Sequence, residues 1–308
     1  MHGQGYWRGK KIMITGASGF IGSHLCRYLL DRDAQVHGIS RRQRDGGGVN
    51  WWRGDLSKIE DIRRIMGEVR PEHVFHLAGF VSGSRALDSV LPILRDGLVS
   101  TVNVLVAATE AGCEGVLLAG SVEEPEALPA VPCSPYAAAK WAGGGYARMF
   151  RELYDTPAVN ARIYMVYGPG QIDLKKLVPY VTLSLLRKER PLISSGERPV
   201  DWVYVSDVVR GLAATSRAGS HEGVDIGTGR LVTVRQVVEI IYSIVGADHE
   251  PIFGTLPDRS MERVQAADSE RTMRLTGWRP TVGLEDGLRD TVDWYRRGHE
   301  EGRFPPGG

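Results

Sequence analysis

The chain has 308 residues, of which 42% are hydrophobic, so it can bury a large core as one α/β domain or as a domain with a smaller lobe. Its 38 basic and 37 acidic residues nearly balance, which argues against nucleic acid or a membrane surface as partner. No apolar run approaches the ~20 residues that span a bilayer. Residues 1–10 do not resemble a signal peptide, and the three cysteines lack metal-ligand spacing. We therefore expect a cytoplasmic protein with reduced thiols and no metal.

The first predicted element is a strand over residues 11–15, which leads through a glycine turn into a helix. Three glycines at a spacing of three let the backbone approach a pyrophosphate, and the start of the helix offers N–H groups and the positive end of its dipole. The alternative is a glycine-rich turn that only packs. The predicted cofactor-binding residues here are Gly16, Ser18, Gly19, Phe20, Ile21 and Gly22.

Strand and helix patterns then alternate. The predicted strands cover residues 35–39, 73–77, 115–119 and 158–164, and the predicted helices 59–69 and 98–111. Such alternation predicts an α/β fold with a doubly wound parallel sheet of the Rossmann type, which binds ligands outside the carboxyl ends of its strands.

The pattern loosens after residue 170. Residues 177–187, 234–245 and 284–297 are predicted helices, and residues 201–205 a strand. We predict a dinucleotide-binding domain over residues 1–169 with returning segments at about 201–227. A smaller, discontinuous substrate lobe would take residues 170–200 and 228–308.

The second strand ends in Ser40, Arg41 and Arg42, where a NAD site usually has a carboxylate for the ribose hydroxyls. A guanidinium group suits the 2′-phosphate of NADP. The sequence therefore favours NADP over NAD, with a solvated pair of surface arginines as the alternative.

Two further strand ends complete the predicted cofactor site. Asp55 and Leu56 follow a short third strand and are placed to border the adenine. The fourth strand ends at the cofactor edge with His76, Leu77, Ala78 and Gly79. Of these, His76 is expected only to pack.

Tyr136 and Lys140 form the predicted catalytic pair. Pro135 can open a helix, and a spacing of four places both side chains on one helix face. We expect the ammonium to lower the pKa of the tyrosine, so that it exchanges a proton with a substrate hydroxyl or ketone near neutral pH. Lys140 can also hydrogen-bond the nicotinamide ribose. The Tyr-x-x-x-Lys spacing is common on helices, and its position behind a dinucleotide turn is what favours catalysis.

Taken together, these motifs resemble the extended short-chain dehydrogenase/reductases, in the nucleotide-sugar epimerase, dehydratase and 4-ketoreductase group. The resemblance covers nearly the whole chain. It implies hydride transfer between nicotinamide C4 and a sugar carbon, a nucleotide-sugar substrate and a homodimer. Besides the residues above, it rests on the segments Tyr167-Gly168-Pro169-Gly170-Gln171, Asp201-Trp202-Val203-Tyr204-Val205-Ser206-Asp207 and Gly277-Trp278-Arg279-Pro280.

The resemblance also assigns Ser121, after the fifth strand, to a hydrogen bond with the reacting sugar oxygen. The dehydratases add an acid–base pair in the next two positions, which are Val122 and Glu123 here. Glu123 could abstract a proton next to a ketone or could be a solvated loop carboxylate. Because Val122 removes one dehydratase group, the sequence slightly favours a 4-keto-sugar reductase over an epimerase or dehydratase.

Two positions depart from the family pattern. Met165 stands where an asparagine usually contacts the substrate phosphates, and Val200 where an arginine does. A buried diphosphate with too few donors is costly, so an NADP-dependent enzyme acting on a non-nucleotide ketone or alcohol stays open, as does a non-catalytic NADP-binding sensor. The predicted substrate-binding residues are Ser82, Arg187, Arg198 and Arg259.

Overall fold

The computed structural model describes residues 5–79, 84–125, 131–220, 222–258, 261 and 263–304. The chain divides into two compact units, each built from separate segments. The first consists of Met1–Ile163, Val209–Ile226 and Glu270–Trp278. The second consists of Tyr164–Val208, Gly227–Ser269 and Arg279–Gly308.

Strands and helices alternate along the first half of the described chain. The strands are β1 Lys11–Thr15, β2 Gln35–Ser40, β3 Asn50–Arg53, β4 His73–His76, β5 Gly115–Ser121, β6 Ala158–Ile163, β7 Met165–Tyr167, β8 Pro199–Tyr204, β9 Val224–Ile226 and β10 Leu231–Thr233. The helices are α1 Phe20–Leu30, α2 Ile59–Val69, α3 Val90–Ile93, α4 Ser100–Glu110, α5 Pro135–Tyr154, α6 Leu177–Leu186, α7 Val205–Ala218, α8 Val234–Val245, α9 Ser269–Thr276 and α10 Leu284–Glu300.

A parallel sheet of seven strands forms the centre of the first unit. Its order is β3-β2-β1-β4-β5-β6-β9, and each neighbouring pair is parallel. The central strands are buried on both faces, as a sheet covered by helices on each side requires. Apolar side chains of α2, α4 and α5 pack on this sheet. The predicted doubly wound α/β fold is therefore confirmed.

The second unit contains a smaller sheet, in the order β10-β8-β7, together with α6, α8 and α10. Its core includes Tyr167, Val181, Val237, Ile241 and Leu288, each at most 1% exposed. A capping box between Thr233 and Gln236 begins α8 at the predicted residue.

Two segments lie in a different unit from the one predicted. The strand predicted over residues 201–205 is part of β8, which pairs with β7 and β10 and therefore belongs to the second unit. Helix α9 belongs to the first unit, because Thr272 hydrogen-bonds both backbone groups of Asp225 on β9. Both assignments depend on pairing between distant segments.

Leu87–Glu110 forms a longer helical stretch than the helix predicted over residues 98–111. Among the described residues, it is the one helical stretch long and apolar enough to cross a membrane by length and composition, a test that core helices of soluble proteins also pass. It contains a π-helical turn, Leu94–Val99, of which the predicted helix 98–111 included the last two residues. Ile93 and Val104 are buried, whereas Leu91 and Leu94 are exposed. These exposed side chains do not test the expected homodimer, which stays a prediction.

The glycine turn between β1 and α1 brings three backbone segments into close approach. Gly16 has φ +71°, and a Cβ there would lie 2.8 Å from the backbone nitrogen of Ala78. A Cβ on Gly22 would overlap the carbonyl oxygen of Gly16. Both positions therefore need glycine for space, and Gly16 needs it for its backbone conformation as well.

We expect Gly22→Ala to lower the free energy of unfolding by roughly 1–3 kcal/mol, because the new methyl group meets backbone that cannot rotate away. Gly67→Ala is the matched control. Gly67 lies on α2 with open space at its Cβ, so alanine there should raise stability by about 0.5–1 kcal/mol. Urea unfolding followed by circular dichroism measures both. Equal effects of the two substitutions would contradict the close packing of the turn.

Candidate active site

The start of α1 provides a backbone surface suited to a pyrophosphate. Its N-cap, Gly19, supplies no side-chain cap, and the first N–H groups of a helix have no partner within it. Phe20, Ile21 and Gly22 form the first turn of α1, and Ser18 is exposed in the turn before it. The N–H donors and the positive end of the helix dipole therefore lie together at the start of α1, which suits the phosphate groups of a dinucleotide.

The end of β2 carries the predicted arginines. The backbone N–H of Arg42 donates to the hydroxyl of Ser40 over 3.2 Å. Arg41 forms an ion pair with Asp96 over 3.4 Å, and its side chain is 71% exposed. Exposed ion pairs of this kind are weak, so Arg41 can exchange this partner for a phosphate at little cost. Asp96, on the π-helical turn, carried no signal in the sequence.

Asp55 and Leu56 follow β3, the strand beside β2. The Asp55 carboxylate accepts hydrogen bonds from the backbone N–H and the hydroxyl of Ser57, at 3.0 and 2.8 Å. Burial acts to raise the pKa of Asp55, but these bonds outweigh it and hold that pKa below its usual value. The carbonyl oxygen of Leu56 accepts from Asn103 over 2.9 Å. Both residues are therefore held in defined positions next to the end of β2.

His76 does more than fill space at the end of β4. Its Nε2 lies 3.0 Å from the Thr101 hydroxyl, which donates to the carbonyl oxygen of Gly97 over 2.6 Å. Its Nδ1 lies 2.8 Å from the hydroxyl of Thr15, which accepts from the Ala78 N–H. Burial lowers the pKa of His76 to about 3, so the ring is neutral. A proton on Nε2 then satisfies every member of the chain.

That hydrogen-bond chain fixes the predicted cofactor edge at Leu77, Ala78 and Gly79. It joins β1, β4 and α4 through a single imidazole. A Cβ on Gly79 would lie 3.6 Å from the Nζ atom of Lys140, so this edge lies next to the predicted catalytic lysine.

Helix α5 begins as the sequence predicts. The hydroxyl of Ser134 accepts from the backbone N–H of Ala137 over 3.1 Å, and Pro135 occupies the first helical position. The same hydroxyl donates to the carboxylate of Glu123 over 3.2 Å. The N-terminus of the helix is therefore tied to the turn that follows β5.

Three predicted catalytic side chains come together where β5 ends. Tyr136 hydrogen-bonds Ser121, which is buried. Lys140 donates from Nζ to the carbonyl oxygen of Ala119 over 2.6 Å, and Nζ lies 5.8 Å from the centre of the Tyr136 ring. A hydroxyl, a phenol and an ammonium thus share one small region beside the cofactor edge.

The expected lowering of the tyrosine pKa is wrong for this structure. Burial and the negative charge of Glu123 raise the pKa of Tyr136, and the hydrogen bond with Ser121 opposes them only in part. Burial also lowers the pKa of Lys140 to about 8, against the opposing charge of Glu124. Tyr136 is therefore protonated at neutral pH and holds its proton more tightly than an exposed tyrosine does.

The Glu123 carboxylate is hydrogen-bonded within the protein and is not fully solvated. Its carboxylate accepts from Ser134, as above, and from the thiol of Cys133 over 3.7 Å. Burial and the neighbouring Glu123 charge raise the pKa of that thiol. Glu123 therefore lies at the N-terminus of α5, close enough to Tyr136 to shift its pKa.

The predicted substrate-binding residues of the second unit lie on separate elements. Arg187 caps α6 and donates to the carbonyl oxygen of Phe304 over 3.3 Å. Arg198 immediately precedes β8, and Val200 on that strand is buried in the core of the unit. Met165 is partly buried on β7. The predicted residues Ser82 and Arg259 lie outside the described residues.

No metal centre emerges from the part of the chain that the structure describes, which holds no group of three or more His, Cys, Asp or Glu side chains suited to one. Free thiols occur at Cys26, Cys113 and Cys133. Cys26 lies on α1 and Cys113 follows the end of α4, and both are buried.

Comparisons with known proteins point to one family. The family model described as "NAD dependent epimerase/dehydratase family" matches residues 12–227. A UDP-glucose 4-epimerase of Mycolicibacterium smegmatis is 31% identical, over 93% of this chain and 98% of its own. A dTDP-glucose 4,6-dehydratase of an Actinoplanes species is 29% identical, over 93% and 98%.

The fold has a close counterpart among solved structures. The UDP-glucose 4-epimerase of Thermus thermophilus, solved in complex with NAD, superposes with a TM-score of 0.82 at 29% identity, over 93% of this chain and 99% of that one. The family model covers the glycine turn, Ser121, Tyr136 and Lys140. These groups lie at the carboxyl ends of the parallel strands. The chain is therefore an enzyme of the NAD-dependent epimerase/dehydratase family, of the extended short-chain dehydrogenase/reductase type.

Proposed function

We propose that this enzyme carries out an NAD(P)-dependent redox conversion of a nucleotide sugar. The observation that carries the proposal is the contact between Ser121 and Tyr136 at the end of β5, with Lys140 one helical turn further along α5. The relatives act on UDP-glucose and dTDP-glucose according to their names, which supports a nucleotide sugar as substrate class.

Each side chain has a defined task in such a reaction. A bound nicotinamide supplies the hydride donor or acceptor. Tyr136 gives a proton to the sugar oxygen as a phenol when the carbon that bears this oxygen is reduced, and takes one from it as a phenolate when that carbon is oxidised. The Ser121 hydroxyl hydrogen-bonds the same oxygen and stabilises the charge that develops on it. Lys140, held against Ala119, keeps a positive charge beside the phenol.

Within this class we propose a 4-keto-sugar reductase. Val122 occupies the place of the acid that a dehydratase uses to expel a hydroxyl group. The raised pKa of Tyr136 provides a phenol that can donate to a substrate carbonyl. The second candidate is a 4-epimerase, which the names of the M. smegmatis and T. thermophilus relatives favour.

We further propose that NADP is preferred over NAD. The end of β2 offers Ser40, Arg41 and Arg42 and no carboxylate to the ribose hydroxyls. The exposed guanidinium of Arg41 is held by an ion pair with Asp96, and a 2′-phosphate would be the stronger partner. The T. thermophilus relative, by contrast, was solved with NAD.

Tyr136→Phe should lower turnover by about 10²–10⁴-fold, because it removes the transferable proton together with the hydrogen bond to Ser121. NADPH fluorescence titration should give an unchanged dissociation constant. Substrates for the assay are UDP-, GDP-, CDP- and dTDP-hexoses and their 4-keto forms. Tyr154→Phe, at the exposed end of the same helix, is the control. Full turnover by the Tyr136→Phe enzyme would refute the proposed function.

The nucleotide released on denaturing the purified enzyme separates the two candidate reactions. A reductase consumes its cofactor, so mass spectrometry should find the site largely empty as purified. An epimerase reoxidises its cofactor within each cycle and would release close to one equivalent of NAD or NADP. The second result would replace the reductase with the epimerase.

Arg41→Ala combined with Arg42→Ala should weaken NADP binding about 10- to 100-fold, because the charged hydrogen bonds to a phosphate are lost. NAD lacks that phosphate, so its affinity should change less than threefold. Isothermal titration with both nucleotides provides the comparison. Equal losses for NAD and NADP would show that the arginines do not recognise the 2′-phosphate.

A further inference from the structure

A second carboxylate, Glu124, lies in the core directly behind the catalytic residues. It is 6% exposed. Its Oε1 atom accepts from the backbone N–H of Ser121 over 2.6 Å, and its Oε2 atom accepts from the side-chain amide of Asn160 over 3.0 Å. A buried carboxylate is costly unless its oxygens are hydrogen-bonded, and here both have donors.

Glycines on two elements make room for this pair. A Cβ on Gly120 of β5 would lie 2.5 Å from Oε1 of Glu124 and 2.7 Å from Oδ1 of Asn160. A Cβ on Gly144 of α5 would lie 3.1 Å from Nδ2 of Asn160. The sheet and the catalytic helix both lack a side chain where the carboxylate and the amide lie.

The same segment of β5 holds the catalytic groups. Ala119 accepts the Nζ hydrogen bond of Lys140, and Ser121 bonds Tyr136. Because Glu124 bonds the Ser121 backbone, it fixes the direction of the strand end that presents both groups.

Several other charged or titratable groups surround Lys140 and Glu124. They are Tyr136 on α5, Glu123 on the turn after β5, His76 at the end of β4 and Arg162 on β6. Arg162 is already paired with Asp225 over 2.8 Å, and His76 is neutral. Glu124 is therefore a buried carboxylate next to the part of α5 that carries Lys140: its Oε2 atom would lie 3.5 Å from a Cβ on Gly144, one helical turn after Lys140. Burial raises the pKa of Glu124, and the hydrogen bond from Ser121 and the charge of Lys140 oppose that shift.

We propose that Glu124 is a positioning residue for the catalytic centre: its carboxylate holds Ser121 in place through the backbone and places a negative charge behind the part of α5 that carries Lys140. The proposal rests on the proposed catalytic roles of Tyr136 and Lys140.

The test compares Glu124→Gln with the native enzyme in two measurements. Carbon-13 NMR of labelled lysine, with Lys140→Arg to identify the signal, follows protonation of Lys140 without any cofactor. Loss of the carboxylate charge disfavours the ammonium, so the Lys140 midpoint should fall by about one pH unit, a tenfold loss of proton affinity. The alkaline limb of kcat should move down with it, and kcat should fall about tenfold.

Glu114→Gln is the matched control, because Glu114 is exposed just before β5 and bonds Lys10 instead. It should move neither midpoint nor kcat. Asn160→Ala removes the other donor to Glu124 and should shift the Lys140 midpoint in the same direction by a smaller amount. Unchanged Lys140 titration in folded Glu124→Gln would overturn the proposal.

Failure of both the Glu124 and Asn160 variants to fold would also overturn it, since the carboxylate would then serve the core alone. An active Tyr136→Phe enzyme, in contrast, would remove the proposed function and leave the Lys140 titration as evidence about Glu124. The two failures are therefore distinguishable.

Discussion

The short hydrogen bond from Lys140 to the carbonyl oxygen of Ala119 joins the catalytic helix to the central sheet. A buried ammonium needs acceptors and negative charge nearby, and this bond of 2.6 Å satisfies one of its protons. It also fixes the rotation of α5 about its axis. Tyr136, one turn earlier, is thereby directed at Ser121, and the cofactor edge at Gly79 passes beside the same ammonium.

The electrostatic balance around that bond decides the resting state of the site. Burial penalises both the ammonium and a phenolate, so Lys140 binds its proton less tightly than usual while Tyr136 binds its own more tightly. Glu123 reinforces the second effect from the N-terminus of α5. A helix N-terminus favours a carboxylate, which explains why Glu123 lies there although it opposes ionisation of the tyrosine.

Local patterns predicted most of the first unit and part of the second. β1, α2 and α8 have the predicted bounds, because apolar periodicity and caps are encoded within each segment. The strands β7, β9 and β10 have three residues each, too few for a periodic signal. Their pairing partners, and hence the unit to which β8 belongs, depend on contacts between distant residues.

The same distinction applies to the site. The glycine turn and the tyrosine–lysine pair have fixed spacings that can be found in one sequence. The chain through His76 joins residues 61 and 25 positions apart, and the Glu124–Asn160 bond spans 36 positions. No local pattern distinguishes such a histidine or carboxylate from one that only packs or is solvated. Those residues become recognisable only once the sheet order is known.

Helix α5 shows how the requirements of the site override local preference. Gly143, Gly144 and Gly145 lie within one 20-residue helix, where each glycine costs about 1 kcal/mol relative to alanine. A Cβ on Gly143 would lie 3.4 Å from the Thr101 methyl group, which belongs to the His76 chain, and one on Gly144 would crowd Asn160. Two of the three glycines therefore let α5 approach the two buried polar networks on either side of Lys140. A Cβ on Gly145 would meet the tip of the Arg148 side chain at 3.9 Å, an ordinary contact, so its position is not explained by packing. The catalytic helix gives up intrinsic stability at two positions because the hydrogen-bonded groups beneath it need that space.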